Sequence, residues 1–384
     1  MTSRKSFVTI FPEAENFHLV KDVGQIPFFI GKNDEYDAEL ITYKNNPDYP
    51  YLEDEVKGLK LTFIKNAGRY FSHHKAILKF LLSSSKRIDI LNLFHFKREN
   101  VLYLFLYKKL NPKGKTYVKL DMDILFFKNY NSFFFSHYRL KNLLLKRLAR
   151  VHFKLTDLFS VETDEAAEYL VNVYPELKDK LICIPNGIDD DYIDRNVTLK
   201  TFEQKENIIL TVGRIGTEQK NTELFLESLR IADLRDWKVY IIGPVERTFD
   251  PYIKSFFEDN PVLKEKIIFT GNITDRTELF EWYNRAKIFC LSSRYEGFPI
   301  AFSEALHFGN YIITTPLSSS SFVTDRGRTG SVAGGNRFEF AAAINRTLVP
   351  GFLNAERYQQ IRSFSKNKLC WPEIVKRILT QLEN

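Results

Sequence analysis

A chain of 384 residues is too long for one ordinary hydrophobic core and suits two domains of roughly 150 to 200 residues each. With 44% hydrophobic and 27% charged residues, the composition is globular and excludes disordered and collagenous classes. The net charge is +7, and it is concentrated: residues 73–154 hold 18 Lys and Arg against four acidic residues.

The first residues lack the apolar stretch of a signal peptide, and no run approaches the ~18 apolar residues of a spanning helix. A cytosolic location is therefore expected. Cys183, Cys290 and Cys370 are too far apart for a CxxC ligand pair and read as free, mostly buried thiols.

In chain order, short apolar runs alternate with longer amphipathic ones, the pattern of a parallel sheet wrapped by helices. Strands are expected at 7–11, 38–43, 59–64, 88–94 and 116–123, the last, "TYVKLDMD", ending in two carboxylates. Helices are expected at 18–32, disturbed by Pro27, and at 74–84, 97–110 and 139–151. A strand at 158–162, a helix at 164–174 and a strand at 181–185 complete an N-terminal domain of residues 1–187. Residues 188–206 are polar and aperiodic, which fits a linker.

The alternation then restarts as a second domain, 207–363. Strands are expected at 208–214, 238–243, 266–271, 288–293 and 311–315. Helices are expected at 221–232, 251–259, 276–286 and about 300–308. "SSSS" at 318–321 reads as a loop, and 355–384 as helix interrupted near Pro372. Two such doubly wound domains leave a cleft between them, and ligands of such sheets bind beyond the carboxyl ends of the strands.

Two motifs sit at such ends. In "VGRIGTEQKN" the chain turns at Gly213 and offers Arg214 and Lys220 close to a helix start, where free amides and the dipole favour an anion. The pair reads as a diphosphate clamp; solvated surface cations are the plainer alternative. In "SRYEGFPIAFSEAL" Gly297 permits close backbone approach and Pro299 fits the first helical turn. That leaves the amides of Phe298, Ile300 and Ala301 for oxygen atoms. Glu296 and Glu304 supply carboxylates for paired hydroxyls, against the alternative of an ordinary capping or surface pair. Carboxylate, amides and carboxylate in succession suit a sugar nucleotide.

On these motifs the second half resembles the donor domain of glycosyltransferase family 4, retaining enzymes of the GT-B fold. "IPNGID", "IIG", "FTGNITD" and "YIITT" followed by "DRGRTG" add family-like pieces in order, while the first half matches only in layout. The resemblance implies two Rossmann-like domains facing each other across a cleft, with the last helix, about 364–384, packing back on the first. It implies a sugar-nucleotide donor, a UDP-sugar being favoured, and a glycan, lipid-linked or protein-linked acceptor in bacterial surface polysaccharide or glycoconjugate synthesis.

Arg214 and Lys220 would neutralise the leaving diphosphate, Glu304 would hold the ribose, Asn272 and Ile273 would face the base, and Glu296 would orient the sugar. No metal and no cofactor are expected. The family's Gly-Gly loop after the first strand is missing here, where only Gly24 follows, and "KLDMD" replaces its usual histidine. Asp121 is the candidate in that place, with a buried structural role equally simple. Two other readings keep the pocket: a sugar-nucleotide epimerase, and a non-catalytic membrane-associated partner.

The helix "RLKNLLLKRLARVHFK" (139–154) carries Leu140, Leu143, Leu144, Leu148 and Val151 on one side and cations largely elsewhere. It suits peripheral contact with an anionic inner membrane leaflet, or, more simply, a core helix with a solvated basic face. No nucleic-acid reader motif is present.

Overall fold

The computed structural model describes residues 4–65, 70–121 and 139–383, without the side chains of 70–73 and 139–146. The chain divides into two compact units, Met1–Asn186 with Trp371–Asn384, and Gly187–Cys370.

The first unit is built on seven parallel strands: β1 (Lys5–Ile10), β2 (Tyr36–Thr42), β3 (Lys60–Phe63), β4 (Ile90–Phe94), β5 (Lys115–Lys119), β6 (Leu158–Val161) and β7 (Leu181–Cys183). Their order is β3-β2-β1-β4-β5-β6-β7. Helices α1 (Asp22–Gly31), α2 (Tyr70–Ser84), α3 (Arg98–Leu110), α4 (Arg139–Leu155) and α5 (Asp164–Val173) make the crossovers. Side chains alternate between faces along a strand, and the core divides accordingly. Phe7, Leu40, Ile90, Tyr117 and Leu158 join one cluster with α1, while Val8, Ile41, Leu91, Val118 and Phe159 join another with α2, α3 and α4. Burial on both faces explains why these strands read as unbroken apolar runs.

The second unit holds six parallel strands: β8 (Ile208–Val212), β9 (Lys238–Ile242), β10 (Ile267–Gly271), β11 (Ile288–Leu291), β12 (Tyr311–Thr314) and β13 (Gly330–Val332). They run in the order β10-β9-β8-β11-β12-β13. Its helices are α6 (Asp190–Asn196), α7 (Thr222–Ile231), α8 (Asp250–Asp259), α9 (Arg276–Arg285), α10 (Ile300–His307), α11 (Ser320–Thr324), α12 (Arg337–Thr347) and α13 (Ala355–Lys368). The chain then re-enters the first unit as α14 (Trp371–Glu383), whose Trp371, Ile374, Ile378 and Leu382 are buried beside α1.

Several elements depart from expectation. Residues 188–206, read as a linker, contain α6 and belong to the second unit. Asp189 caps that helix through Tyr192 N at 3.0 Å, and Tyr192, Ile193 and Val197 enter the core; seven residues are too few to show a helical period. Part of the "SSSS" loop becomes α11, because Ser320 Oγ donates to Thr315 O and accepts from Leu317 N. The strand expected at 116–123 ends at Lys119; Met122 and Asp123 lie outside the described residues. On α4, Val151 is exposed while Ala149, His152 and Phe153 are buried. His152 packs against Phe96 and Phe159 at 4.7 and 5.5 Å, so the apolar stripe read through Val151 is not the buried face. The side chains of Leu140, Leu143 and Leu144 lie outside the description.

Among the described residues no helix is long and apolar enough to cross a membrane. All three cysteines are free, and burial raises each thiol above its ordinary value.

Candidate functional site

In the second sheet β8 and β11 are neighbours, and the chain winds outward from them in opposite directions. The loops leaving their carboxyl ends, Gly213–Asn221 and Ser292–Pro299, therefore diverge at the topological switch point, where open parallel sheets take ligands. Asn221 adopts a left-handed conformation with φ 51°, which asparagine tolerates better than most residues. α7 thus begins directly after Lys220, and Ser292 Oγ donates to the carbonyls of Lys220 and Asn221 at 3.0 and 3.1 Å. Arg294 closes the seam from the other loop, its backbone N–H reaching Gln219 O at 2.8 Å and its guanidinium Asn221 Oδ1 at 3.1 Å.

This stitching brings three of the expected residues together. Lys220 Nζ lies 2.6 Å from Glu296 Oε1, with 18% and 11% of the two side chains exposed. Ser293 Oγ donates to the same oxygen at 2.8 Å. Gln219 Nε2 donates to Glu296 Oε2 at 3.1 Å, and Gln219 Oε1 accepts from Arg214 Nη2 at 3.0 Å. Arg214 is exposed. A Cβ at Gly213 would come within 3.3 Å of Lys220 Cε, so glycine leaves room for the lysine stem to lie across the strand end. The result is a net-cationic ledge of two cations and one carboxylate. Such a ledge can receive an anion of more than one charge beside a hydroxyl-binding oxygen.

Glu304 stands apart from that cluster. It is buried in α10, and Arg276 Nη1 of α9 lies 3.6 Å away. Its charge and burial together push the neighbouring Tyr283 phenol well up, burial being the larger cause. Phe298 is buried against Phe302 and Phe322, which roots the turn before α10. Phe302 N bonds back to Pro299 O at 3.0 Å; Ile300 and Ala301 occupy the first helical turn, where amides have no intrahelical acceptor. Asn272, exposed, and Ile273, half-buried, follow β10, two strands from β8, or roughly 10 Å along the carboxyl edge.

Asp121 lies in the first unit, half-buried just beyond β5. Its carboxylate, with those of Asp22 and Glu162, forms a trio whose oxygens lie within 4.8 Å of one another. Such a trio can hold a cation, and the Lys119 ammonium is placed there. It lies 2.9 Å from Asp22 Oδ2 and 3.2 Å from Glu162 Oε1, with no exposed surface; Asn186 Oδ1 accepts from it at 3.3 Å. Burial opposes the ammonium, but the three carboxylates outweigh it and hold the Lys119 pKa well above its ordinary value. Burial, reinforced by Asp121 and Asp22, pushes Glu162 up to about 8. Asp121 is held below its usual range, Lys119 and His95 overcoming its burial.

Sequence reasoning passed over Gln219 and Ser293, which sit inside the quoted motifs but read as spacers. It also missed Arg276, whose signal is the Asp275 cap opening α9. Lys119 and Glu162 are 43 residues apart, and only the pairing of β5 with β6 joins them.

Comparison with known proteins bears on this unit first. Residues 206–349 match the family model described as "Glycosyl transferases group 1". A probable sucrose-phosphate synthase of Thermosipho melanesiensis is 26% identical over 219 residues, covering 56% of this chain and 49% of that protein. The amylovoran biosynthesis glycosyltransferase AmsD of Erwinia amylovora is 25% identical over 194 residues, 43% of this chain and 52% of its own. The chain thus spans about half the length of these curated relatives. Among solved structures, Anabaena Alr3699/HepE in complex with UDP and glucose superposes with a TM-score of 0.70 at 12% identity, over 99% of this chain and 100% of that one. Other solved glycosyltransferases share the fold with TM-scores of 0.70 and 0.74. Residues 206–349 are therefore similar to the glycosyl transferases group 1 model, within a chain of GT-B fold, two parallel Rossmann-like sheets wrapped by helices.

Proposed function

We propose that the chain moves a glycosyl group from a sugar nucleotide to a hydroxyl of a glycan or lipid-linked acceptor, with retention of anomeric configuration, in the synthesis of a bacterial surface glycan. The observation that carries this reading is the convergence of Arg214, Lys220 and Glu296 at the β8/β11 switch point, bonded through Gln219. Arg214 and Lys220 meet the diphosphate and stabilise the negative charge that grows on it as the glycosyl bond breaks. Glu296 accepts hydrogen bonds from the sugar hydroxyls, and Glu304, backed by Arg276, takes the ribose. Asn272 and Ile273 face the base, and the first-turn amides of α10 complete the anion site. The incoming hydroxyl gives its proton to the departing phosphate on the face the phosphate leaves, and the reading calls on Arg214, Lys220 and the helix amides, rather than on a metal, for the charge of the leaving group. Asp121 is the candidate from the first unit for a group that accepts a hydrogen bond from the acceptor or the sugar. UDP is the favoured nucleotide because a protein of like fold was crystallised with UDP and glucose.

The test is a melting-temperature screen against UDP-, GDP- and ADP-sugars, since a ligand that binds only the folded chain raises that temperature. A rise with one sugar nucleotide is expected, followed by an α-linked product from an α-linked donor by NMR. In the same assay Glu296→Ala should lose on the order of 10²-fold in turnover and still bind the nucleotide. A chain that answers to no sugar nucleotide, or a Glu296→Ala variant at the parent rate, would defeat the reading.

A further inference from the structure

Glu296 has both carboxylate oxygens engaged. Oε1 accepts from Lys220 and Ser293, and Oε2 from Gln219. Lys220 is the charged partner of the three. The reaction proposed above asks the same ammonium to face a diphosphate, which carries more negative charge than one carboxylate and competes for it. As Lys220 turns toward phosphate, Glu296 loses its strongest tether, and its aim rests on the two neutral donors that remain. Ser293 belongs to the same loop and moves with it. Gln219 belongs to the opposite loop, next to Lys220, and its other end holds Arg214.

We propose that Gln219 is a positioning residue for the donor sugar: its carboxamide keeps Glu296 aimed while Lys220 exchanges that carboxylate for the diphosphate. The inference rests on the sugar-nucleotide reading of this site. A carboxamide suits the place because one planar group offers a donor to a carboxylate and an acceptor to a guanidinium. Gln219 is half-buried and anchored as well by Tyr295 O at 3.2 Å, so it does not travel with the lysine. The exchange also predicts that phosphate and Glu296 are rivals for Lys220.

The experiment uses the full chain. The sugar nucleotide that raises the melting temperature most among UDP-, GDP- and ADP-sugars, and its free nucleoside diphosphate, are titrated by calorimetry into the parent, Gln219→Leu, Gln219→Met and Glu296→Gln. Both Gln219 variants should keep nucleoside diphosphate affinity within about threefold, while the ratio of sugar-nucleotide to nucleoside diphosphate affinity falls about tenfold, the worth of one hydrogen bond to a charged group. Glu296→Gln should bind the nucleoside diphosphate several-fold more tightly than the parent, its rival for Lys220 being gone. An unchanged ratio in a Gln219 variant whose melting temperature matches the parent's would overturn the positioning role. Equal or weaker nucleoside diphosphate binding by Glu296→Gln would overturn the exchange. If the parent binds none of these ligands, the transferase reading of the site falls first, and the inference with it.

Discussion

Lys119 shows what a single residue contributes. Burying an ammonium costs several kcal/mol unless partners surround it, and Asp22, Glu162 and Asn186 do so, while burial pushes the Glu162 carboxyl up against the opposing pull of Lys119. The folded chain then holds a proton that the unfolded chain has already given up between the ordinary glutamate value and about 8. Stability from this group is complete below the unfolded pKa and is lost as pH rises through the folded one, by up to about 1.4 kcal/mol per pH unit. His152 works the other way, its folded pKa pushed down to about 3 by burial, so its stabilisation grows as pH rises toward its ordinary value of 6.5. Urea midpoints of the parent and Glu162→Gln, compared between pH 6.5 and 8, should separate the two. The parent should lose stability with rising pH more steeply than the variant, and parallel curves would show that Glu162 is ionised in the folded chain. At this scale the sequence was legible only where a motif is local. Arg214, Lys220 and Glu296 were read from their neighbours along the chain, whereas Lys119, Glu162 and Gln219 take their meaning from partners at least 43 residues away.

Elements were easier to read. Strands buried on both faces announce themselves as apolar runs, and β1, β4, β8, β9 and β11 fall where the runs are. The failures are the short pieces, α6 and α11, whose order comes from a cap or a serine bridge rather than from periodicity, and the buried face of α4, which includes a histidine. α9 illustrates how one element serves the site from a distance. Its last carbonyls are satisfied by Lys205, whose buried Nζ donates to Tyr283 O, Asn284 O and Ala286 O at 3.1, 2.9 and 2.8 Å, while its first residue, Arg276, faces Glu304. Lys205→Met keeps the apolar stem but strands Asn284 O at the helix end, since Asn310 Nδ2 still donates to Tyr283 O and Ala286 O. The expected loss is about 1 to 3 kcal/mol, the penalty for one unsatisfied buried polar group, read as a lower urea midpoint. An unchanged midpoint would mean that water satisfies Asn284 O as well as the lysine does.

At the scale of the whole molecule, the even net charge suggested by the total is misleading, because the basic excess gathers in residues 73–154. The last turns of α4 expose Arg147, Arg150 and Lys154 around Val151, which favours an acidic surface over a purely apolar one. Cosedimentation with vesicles containing phosphatidylserine should fall steeply as salt rises and the charges are screened, each basic residue near the surface being worth ~1 kcal/mol. Equal recovery on neutral vesicles would remove the electrostatic account. The return of α14 to the first unit has a further consequence, for biosynthesis. One face of the N-terminal sheet is completed by Trp371, Ile374, Ile378 and Leu382, so on the ribosome this domain waits for residues made after the other has emerged. At ~5–20 residues per second that delay is tens of seconds, during which Val23, Ile26 and Phe29 of α1 lack their cover. The domain translated first is thus the last to finish folding, and it is where a nascent chain would most need a chaperone.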